Sequence, residues 1–353
     1  MPMHENMTPY EAAETVGMDA QGREYYLCVV KATFNWDEHG KPTPAATHQP
    51  VTAADQFAPE SDPPACTLES DLVPEKPQVD VLLAGSIKLP RAVPQVDVGL
   101  DVGQRIRKQV RVFGDRYWVR GAGGLVMTEP RPFDEMPIRW DRCFGGMDPQ
   151  HPKHAELRNP AGVGMRKDAS ALEKQLVANF EDPRKPIHSY KEHPAPVGFG
   201  PMSRTDPARS KLAGTYDDAW QEEQAPLLPE DFNPLYYNCA PPDQRLDAYI
   251  PGEVVRLSYM TERGQEQFSL PDFTVEFARA LVPERIIRRH ARPDTIIIEP
   301  KERRFSLVAR FVEYPQPDIS TLGKVIVGPS SGRVRAIEKE KQYVDWRTGE
   351  TRD

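Results

Sequence analysis

The clearest pattern along the chain is an alternation of apolar and polar residues in its first third. Residues 95–102 place valine or leucine at every second position, and the alternation resumes over residues 106–112 after the pair Gly103-Gln104. A period of two is typical of a half-buried β-strand. Two such runs separated by a glycine-containing turn predict a hairpin.

Other strands are predicted from runs of β-branched and aromatic residues. Residues 24–34 form a continuous run of this kind and predict a buried strand, as do residues 79–89. Residues 117–119 extend the sheet before a glycine-rich turn at 121–124. The C-terminal strands are predicted at residues 254–260, 266–270, 273–281, 294–298 and 305–312, the last two forming a hairpin.

The segment 129–251 has a different character, because prolines, glycines and charged residues interrupt every apolar run within a few positions. Loops of this length in a compact domain are usually functional or disordered, and the many aromatic residues favour order. Two short helices are predicted within the segment, at residues 170–179 and 216–224, with Ser170 and Thr215 as N-terminal caps.

Together these patterns predict a mainly β fold. N-terminal and C-terminal strands form a sandwich-like scaffold, and the long proline-rich loop region with its few short helices covers one side. We expect a single domain over residues 1–312, in which 129–251 is an insert-like region and the partner-binding face. Residues 313–353 are predicted to be a C-terminal extension with limited order.

Composition narrows the functional classes. The 353 residues include 37 prolines, about twice the average share, which is typical of a loop-rich chain. The 53 acidic and 45 basic side chains are interspersed and give a formal net charge of −8, which argues against nucleic-acid binding.

Residues 1–10 lack the pattern of a secretory signal, and no apolar run approaches the roughly 20 residues of a membrane span. The protein is therefore predicted to be cytoplasmic, without a membrane partner.

No sequence pattern typical of a metal, cofactor or catalytic site is evident. The four cysteines are far apart and are expected to be buried free thiols. His151 and His154 are flanked by prolines and have no third ligand at a diagnostic spacing, and the glycines at 121–124 precede no phosphate-binding helix. A Gly-x-Ser-x-Gly nucleophile motif is missing as well. We therefore predict a protein that needs no cofactor and is not an enzyme.

Two other functions remain open from the residues alone. A carboxylate-dependent hydrolase of glycans would use acidic side chains such as Asp71, Asp80 and Asp115. A carbohydrate-binding sandwich would use exposed tryptophans as stacking platforms. The candidate platforms are Trp118, Trp140 and Trp220.

Aromatic side chains are concentrated in the loop-rich segment, where they are either loop core or anchors for a protein partner. Aromatic residues dominate the hot spots of protein interfaces, and loops on a rigid scaffold commonly carry recognition. The predicted partner-binding residues are Trp140, Phe144, Phe199, Tyr216, Trp220 and Phe232.

Short segments of distinctive sequence occur along most of the chain. They include Ser-Asp-Leu-Val-Pro-Glu-Lys-Pro at 70–77 and Val-Phe-Gly-Asp-Arg-Tyr-Trp at 112–118. The full set is residues 6–10, 30–34, 70–77, 80–85, 112–118, 136–137, 144–146, 159–164, 196–201, 213–217, 228–232, 240–244 and 294–300. Taken together and in this order, the segments resemble the bacterial family known as domain of unknown function 2169. The resemblance covers residues 6 to 312.

The resemblance implies a role in type VI secretion. Members of the family are encoded with components of this machinery, and the implied role is that of an adaptor or chaperone. Such a protein binds a toxic effector, often one with a PAAR tip domain, keeps it stable in the producing cell and promotes its loading onto the VgrG spike. The expected partners of this chain are therefore a type VI effector and the VgrG spike, and its oligomeric state is left open.

Overall fold

Strands make up most of the regular structure in the computed structural model, which describes residues 4–281, 285–328, 343–344 and 351–352. In chain order, the strands up to residue 127 are β1 (His4–Asn6), β2 (Glu11–Met18), β3 (Glu24–Trp36), β4 (Pro42–Pro44), β5 (Gln56–Phe57), β6 (Cys66–Leu68), β7 (Val79–Leu83), β8 (Ser86–Val93), β9 (Gln95–Val102), β10 (Ile106–Phe113), β11 (Arg116–Gly121) and β12 (Gly124–Met127). The later strands are β13 (Phe133–Pro137), β14 (Phe144–Asp148), β15 (His151–Glu156), β16 (Val163–Gly164), β17 (Leu176–Val177), β18 (Phe180–Glu181), β19 (Arg245–Leu246), β20 (Val254–Ser258), β21 (Gln265–Ser269), β22 (Val275–Leu281), β23 (Arg285–Ala291), β24 (Pro293–Glu299), β25 (Arg304–Glu313), β26 (Val325–Val327), β27 (Tyr343–Val344) and β28 (Thr351–Arg352).

Helical structure within the described residues is confined to short pieces. The α-helices are α1 (Pro207–Ser210) and α2 (Asp218–Glu223), and 3₁₀ turns occupy Trp140–Arg142, Ala169–Leu172, Lys211–Ala213, Pro234–Tyr237, Pro242–Gln244 and Ile319–Thr321. None of these helices is long and apolar enough to cross a bilayer.

The largest sheet mixes strands from both ends of the chain. Six of its seven strands follow the order β19-β7-β24-β25-β3-β2, and the seventh, the short β4, also pairs with β3. The 13-residue β3 lies between β2 and β25. Its even-numbered residues Tyr26, Cys28 and Val30 belong to the main core, and Leu27 and Val29 pack into a second cluster on the opposite face. Because both faces are covered, the strand is a continuous apolar run and not an alternating one.

Two further sheets pack with this one. A five-stranded antiparallel sheet has the order β18-β10-β9-β20-β21, and a four-stranded sheet has the order β1-β26-β22-β23. Stacked rings join the sheets: Phe268 on β21 lies 4.5 Å from Trp36 on β3 and 4.6 Å from Phe305 on β25, measured between ring centroids. Phe277 on β22 stacks on Phe311 of β25 at 5.0 Å. The mainly β prediction is confirmed.

Most predicted strands are present. The hairpin predicted over residues 95–112 is confirmed, since β9 and β10 pair antiparallel with Val98 opposite Val110. The C-terminal strands and the hairpin of β24 with β25 are confirmed as well. Residues 79–89 form two strands and not one, because Gly85 takes a positive φ of 75° and turns the chain between β7 and β8.

The helix predicted over residues 170–179 is wrong. Ala169–Leu172 forms a single 3₁₀ turn, after which the chain extends into β17 and pairs with β11. The amide of Lys174 donates to the carbonyl of Trp118 at 2.7 Å, so pairing with the sheet overrides the helix propensity of this segment. The helix predicted over residues 216–224 is confirmed as α2, although its cap is Asp217 and not Thr215.

The segment 129–251 contains short strands joined by loops. Side-chain amides of the segment donate hydrogen bonds to backbone carbonyls. Asn159 donates to the carbonyls of Trp140 and Phe144 at 2.8 and 2.9 Å, and Gln244 donates to those of Val81 and Phe199 at 2.8 and 3.0 Å. All four carbonyls belong to buried residues, where an unpaired acceptor would be costly.

The expectation of limited order after residue 312 is not met over residues 314–328. Leu322 and Val325 are buried in the main core, and β26 pairs with β1 and with β22. The side chain of Arg279 donates to the carbonyl of Leu322 at 2.7 Å and binds Glu313 at 2.8 Å, which ties this part of the chain to β22. The rest of the predicted extension lies outside the described residues, apart from the pair of short strands β27 and β28.

Candidate functional site

Three of the six predicted partner-binding residues lie in the interior. Trp140 is 9% exposed, Phe144 4% and Phe199 1%. Trp140 packs close to Gly198, and the backbone of Phe199 is bonded to Leu83. Packing against the scaffold covers most of the surface of these three side chains, and their contact with a partner stays a prediction.

The other three lie together in residues 214–237, which we call the aromatic segment. Tyr216 is 53% exposed, and its ring contacts that of Trp220 edge-on, with 4.7 Å between centroids. Phe232 is half-buried against Tyr236 and Tyr237, at 5.9 and 5.2 Å. The structure therefore places two exposed or half-exposed aromatic groups on one short stretch of chain.

Polar side chains fix the conformation of the aromatic segment. Asp217 caps α2 by accepting a bond from the amide of Trp220 at 2.9 Å, and the carboxylate of Asp231 accepts bonds from the amide and the hydroxyl of Thr215, both at 2.8 Å. The side-chain amide of Gln224 donates to the carbonyl of Ala20 at 2.6 Å. This last bond anchors the segment to the turn between β2 and β3.

A cleft of about 190 Å³ opens between the aromatic segment and that turn. Four aromatic rings line its walls together with the carboxylate of Asp19 and those of two glutamates. The rings are those of Tyr25, Phe232, Tyr237 and Tyr314, and the glutamates are Glu75 and Glu230. The edge-on contact of Tyr25 with Tyr314, at 6.1 Å, forms one wall, and Phe232 with Tyr237 forms another. We refer to this feature as the aromatic cleft.

The tyrosines of the aromatic cleft are held as neutral hydroxyls. Burial raises the pKa of Tyr25 and of Tyr314, and the nearby charge of Asp19 raises both further. Burial also raises the pKa of Tyr237, with additional effects from Tyr25 and Glu75. Their rings therefore offer apolar faces with hydroxyl groups that can donate hydrogen bonds at neutral pH.

Arg23 and Asp19 form the rim of the cleft. The guanidinium of Arg23 donates to Asp19 at 2.7 Å and lies 4.9 Å from the centroid of the Tyr314 ring. Burial alone would raise the pKa of Asp19, but bonds from the amides of Arg23 and Gln21 and from the Arg23 guanidinium hold it below its usual range. The cleft thus already contains one cation held between a carboxylate and an aromatic face.

The carboxylates considered for a glycan hydrolase are engaged in structural bonds. Asp71 accepts from the ammonium of Lys31 at 2.9 Å, and Asp115 accepts from the guanidinium of Arg142 at 3.0 Å. Asp80 is completely buried beside Lys76. None of the three lines the aromatic cleft.

The tryptophans considered for carbohydrate stacking are mostly covered. Trp118 is 3% exposed and Trp140 9%, and both pack within apolar clusters. Trp220 is half-buried, and its indole N–H donates to the carbonyl of Leu227 at 2.9 Å. The three rings do not form a common platform, because only Trp220 belongs to the aromatic segment.

The cysteines and the potential metal ligands are the remaining candidates for chemistry. Cys28, Cys143 and Cys239 are buried free thiols, and Cys66 is half-buried. Among the described residues no group of three His, Cys, Asp or Glu side chains is placed to hold a metal ion.

Sequence reasoning identified Phe232 as a site residue but missed the other side chains of the aromatic cleft. Tyr25 belongs to a strand that predicts burial, and Tyr314 follows the predicted domain boundary. Glu75 lies in the 70–77 segment and Glu230 in the 228–232 segment, and these two segments were the signals available from the sequence. These residues meet because β3 pairs with β25, which brings Tyr25 beside Tyr314.

A protein-family model described as an uncharacterized protein conserved in bacteria, DUF2169, matches residues 21–310. The chain belongs to this family. No curated protein and no solved structure matches the chain. The match to DUF2169 includes Tyr25, Glu75, Phe232 and Tyr237, so most of the aromatic cleft is formed by the part of the chain that defines the family.

Proposed function

We propose that this DUF2169 protein is a cytoplasmic adaptor that binds a type VI secretion effector, stabilises it and promotes its loading onto the VgrG and PAAR spike. The observation that carries the proposal is the pairing of a rigid β scaffold with the exposed Tyr216 and the half-buried Trp220 and Phe232 on residues 214–237. Exposed aromatic groups held in a fixed conformation are typical anchors of protein interfaces, because they bury large areas at low entropic cost.

The conformation of the aromatic segment supports a binding role. Asp217 and Asp231 already fix the conformation of the segment, and Gln224 ties it to the turn between β2 and β3. A partner would therefore not need to order these loops on binding, and that lowers the cost of association. Tyr216, at 53% exposure, is available for contact without any rearrangement.

Stabilisation of the effector needs only mass action under this proposal. An adaptor that binds the folded effector and not the unfolded chain shifts the folding equilibrium towards the folded state. No nucleotide and no catalytic group is required, and we therefore propose that the protein is not an enzyme. The engagement of Asp71, Asp80 and Asp115 in ion pairs is consistent with that view.

The proposal is tested in the native bacterium with the chromosomal gene deleted and a tagged copy supplied. Affinity purification and mass spectrometry of the tagged protein should recover a toxin-like effector together with VgrG or PAAR components. The deletion strain should contain less of that effector and should secrete less of it. Recovery of spike components without an effector, or normal secretion in the deletion strain, would contradict the adaptor role.

Paired variants test whether the aromatic segment is the binding face. Tyr216→Ala combined with Trp220→Ala should reduce the recovered effector by about tenfold, the effect expected when interface hot spots are removed. Phe57→Ala is the matched control, because Phe57 is 51% exposed but lies on the separate hairpin of β5 and β6. Thermal unfolding of each variant separates a binding defect from a folding defect. An equal loss of recovered effector in both variants would show that the aromatic segment has no special role in binding.

A further inference from the structure

The aromatic cleft lies at the end of an edge strand. In the seven-stranded sheet β2 pairs with β3 on one side, and no described strand pairs with its other side. Met18, the last residue of β2, lines the cleft together with Asp19. An unpaired edge presents backbone amides and carbonyls to which another extended chain can bond. A segment that paired with β2 would therefore run directly into the cleft.

Apolar side chains on β2 extend the contact surface offered to such a segment. Val16 and Met18 are 51% and 54% exposed, and because they are two residues apart they lie on the same face of the strand. The ring of Tyr25 lies over Gly17 on the opposite face, since a Cβ at Gly17 would be 2.5 Å from the Tyr25 hydroxyl. Alternate side chains of an added strand would contact Val16 and Met18 on one face and the Tyr25 ring on the other.

The charges around the cleft indicate which kind of segment would pair with β2. Glu75 and Glu230 are exposed at the cleft and form no ion pair with any described residue, whereas Asp19 is neutralised by Arg23. The strand β2 carries two glutamates and no lysine or arginine. Natural edge strands commonly carry lysine, which discourages strand addition. An acidic edge beside two unpaired carboxylates is complementary to a basic segment.

The geometry of Arg23 shows how a cation is held at this site. Its guanidinium lies over the ring of Tyr314 and is bonded to the carboxylate of Asp19. The lining of the cleft also offers the same two kinds of group that are not bonded to Arg23, namely the rings of Phe232 and Tyr237 and the carboxylates of Glu75 and Glu230. Aromatic faces attract arginine and lysine through the quadrupole of the ring, and nearby carboxylates strengthen the interaction.

We propose that the effector binds through an extended basic segment, which adds to β2 as a strand and places an arginine or lysine side chain in the aromatic cleft. The inference rests on the proposed function, because it specifies the chemistry of the partner that the adaptor would hold. Strand addition supplies affinity through backbone hydrogen bonds, and the cleft supplies selectivity for a cation.

Synthetic peptides test the inference without the effector. The probe is a fluorescein-labelled extended peptide of alternating valine and threonine that ends in two arginines. A second peptide replaces the arginines with glutamates, and a third replaces the central valine with proline, which cannot donate a ladder hydrogen bond. By fluorescence anisotropy at low salt, the arginine peptide should bind at least about tenfold more tightly than either of the others.

Protein variants locate the binding. Glu75→Gln combined with Glu230→Gln should weaken the arginine peptide by about tenfold and leave the glutamate peptide no weaker than before. Glu60→Gln combined with Glu262→Gln is the control, since it makes the same change of net charge at exposed carboxylates outside the cleft. All four positions are exposed, and circular dichroism should show an unchanged fold.

The outcomes separate this inference from the adaptor role. If the arginine and glutamate peptides bind equally, or if both double variants behave alike, the basic-segment inference is wrong even when an effector co-purifies. If the proline peptide binds as well as the arginine peptide, strand addition to β2 is wrong. Selective binding of the arginine peptide by a protein that recovers no effector from cells would contradict the adaptor role alone.

Discussion

The ammonium of Lys76 lies 2.8 Å from a carboxylate oxygen of Asp80, and the two side chains are 6% and 0% exposed. Asp80 also accepts bonds from the amide of Cys239 and the side chain of Asn238, at 2.9 and 3.0 Å. Burial alone would raise the pKa of Asp80, but the charge of Lys76 and these bonds hold it below its usual range. Asp80 thus joins β7 to the loop that follows the aromatic segment.

Removing the carboxylate from this pair should destabilise the protein strongly. Asp80→Ala leaves the ammonium of Lys76 buried without its partner and leaves the amide of Cys239 without an acceptor. Breaking one side of a buried ion pair costs about 3–5 kcal/mol of the free energy of unfolding. Urea unfolding followed by tryptophan fluorescence measures this loss directly.

Asp134→Ala is the control for that experiment. Asp134 forms an ion pair with Lys88 at 2.8 Å, but its side chain is 53% exposed, so solvent screens the interaction and little change in stability is expected. If both variants lost similar amounts of the free energy of unfolding, burial of Lys76 and Asp80 would not be the reason that their pair stabilises the protein. A stable Asp80→Ala protein that had lost a glycan-hydrolysing activity would favour the enzyme hypothesis.

The strands were predictable where the core imposes a regular pattern. Residues 95–102 alternate because β9 contributes Val98, Leu100 and Val102 to the main core while its other face is partly exposed. The helix predicted over residues 170–179 is wrong for a physical reason as well, because the amide of Lys174 donates to the carbonyl of Trp118 on β11. A single sequence gives no indication of such a distant partner.

The candidate site was much less predictable. Trp140 and Phe199 have the same side-chain chemistry as Trp220 and Phe232, and burial that arises only from tertiary packing separates the two pairs. The aromatic cleft also joins Tyr25, near the start of the family region, to Tyr314, which lies just after its end. Their contact depends on the register between β3 and β25, which pattern analysis does not supply.

Gly114 is predicted to be intolerant of any side chain. It lies between β10 and β11, and a Cβ added there would overlap the carbonyl oxygen of Arg131. Because the obstacle is backbone, relief requires a shift of one strand connection, and overpacking of this kind costs about 1–3 kcal/mol. Gly114→Ala should therefore lower the midpoint of urea unfolding.

Gly123→Ala provides the matched control for Gly114. Gly123 lies in the turn between β11 and β12, and a Cβ built there meets no heavy atom within 4 Å. The same chemical change should therefore alter the free energy of unfolding by less than about 0.5 kcal/mol. If Gly114→Ala were as harmless as Gly123→Ala, the close approach of residues 114 and 131 would not exist in solution.

Asp148 should contribute a defined pH dependence to stability. Its carboxylate accepts bonds from the amides of Lys167 and Gln150, each at 2.9 Å, and these bonds lower its pKa from 3.8 to about 2. Because the folded-state pKa lies below the unfolded value, the stabilisation is present above 3.8 and is lost as the pH falls through about 2.

Urea unfolding of the native protein and of Asp148→Asn tests the direction in which stability changes with pH. The native protein should have the higher free energy of unfolding at about pH 5. Its advantage over the variant should be smaller at about pH 3, where the carboxyl group of Asp148 is already protonated in the unfolded chain. An advantage of constant size at both pH values would mean that the carboxylate of Asp148 is not selectively stabilised in the folded state.

Cys66 should react slowly in spite of its partial exposure. Burial raises the pKa of its thiol to about 12, and the charges of Glu69 and Asp55 contribute to the shift. At about pH 8.5 fewer than roughly one side chain in a thousand would be the reactive thiolate. Iodoacetamide followed by intact mass measurement should leave the folded protein unmodified, whereas the unfolded chain should gain four adducts from its four cysteines. One rapid adduct on the folded protein, removed by Cys66→Ser, would show that the thiol is more accessible and more acidic than its surroundings in β6 imply.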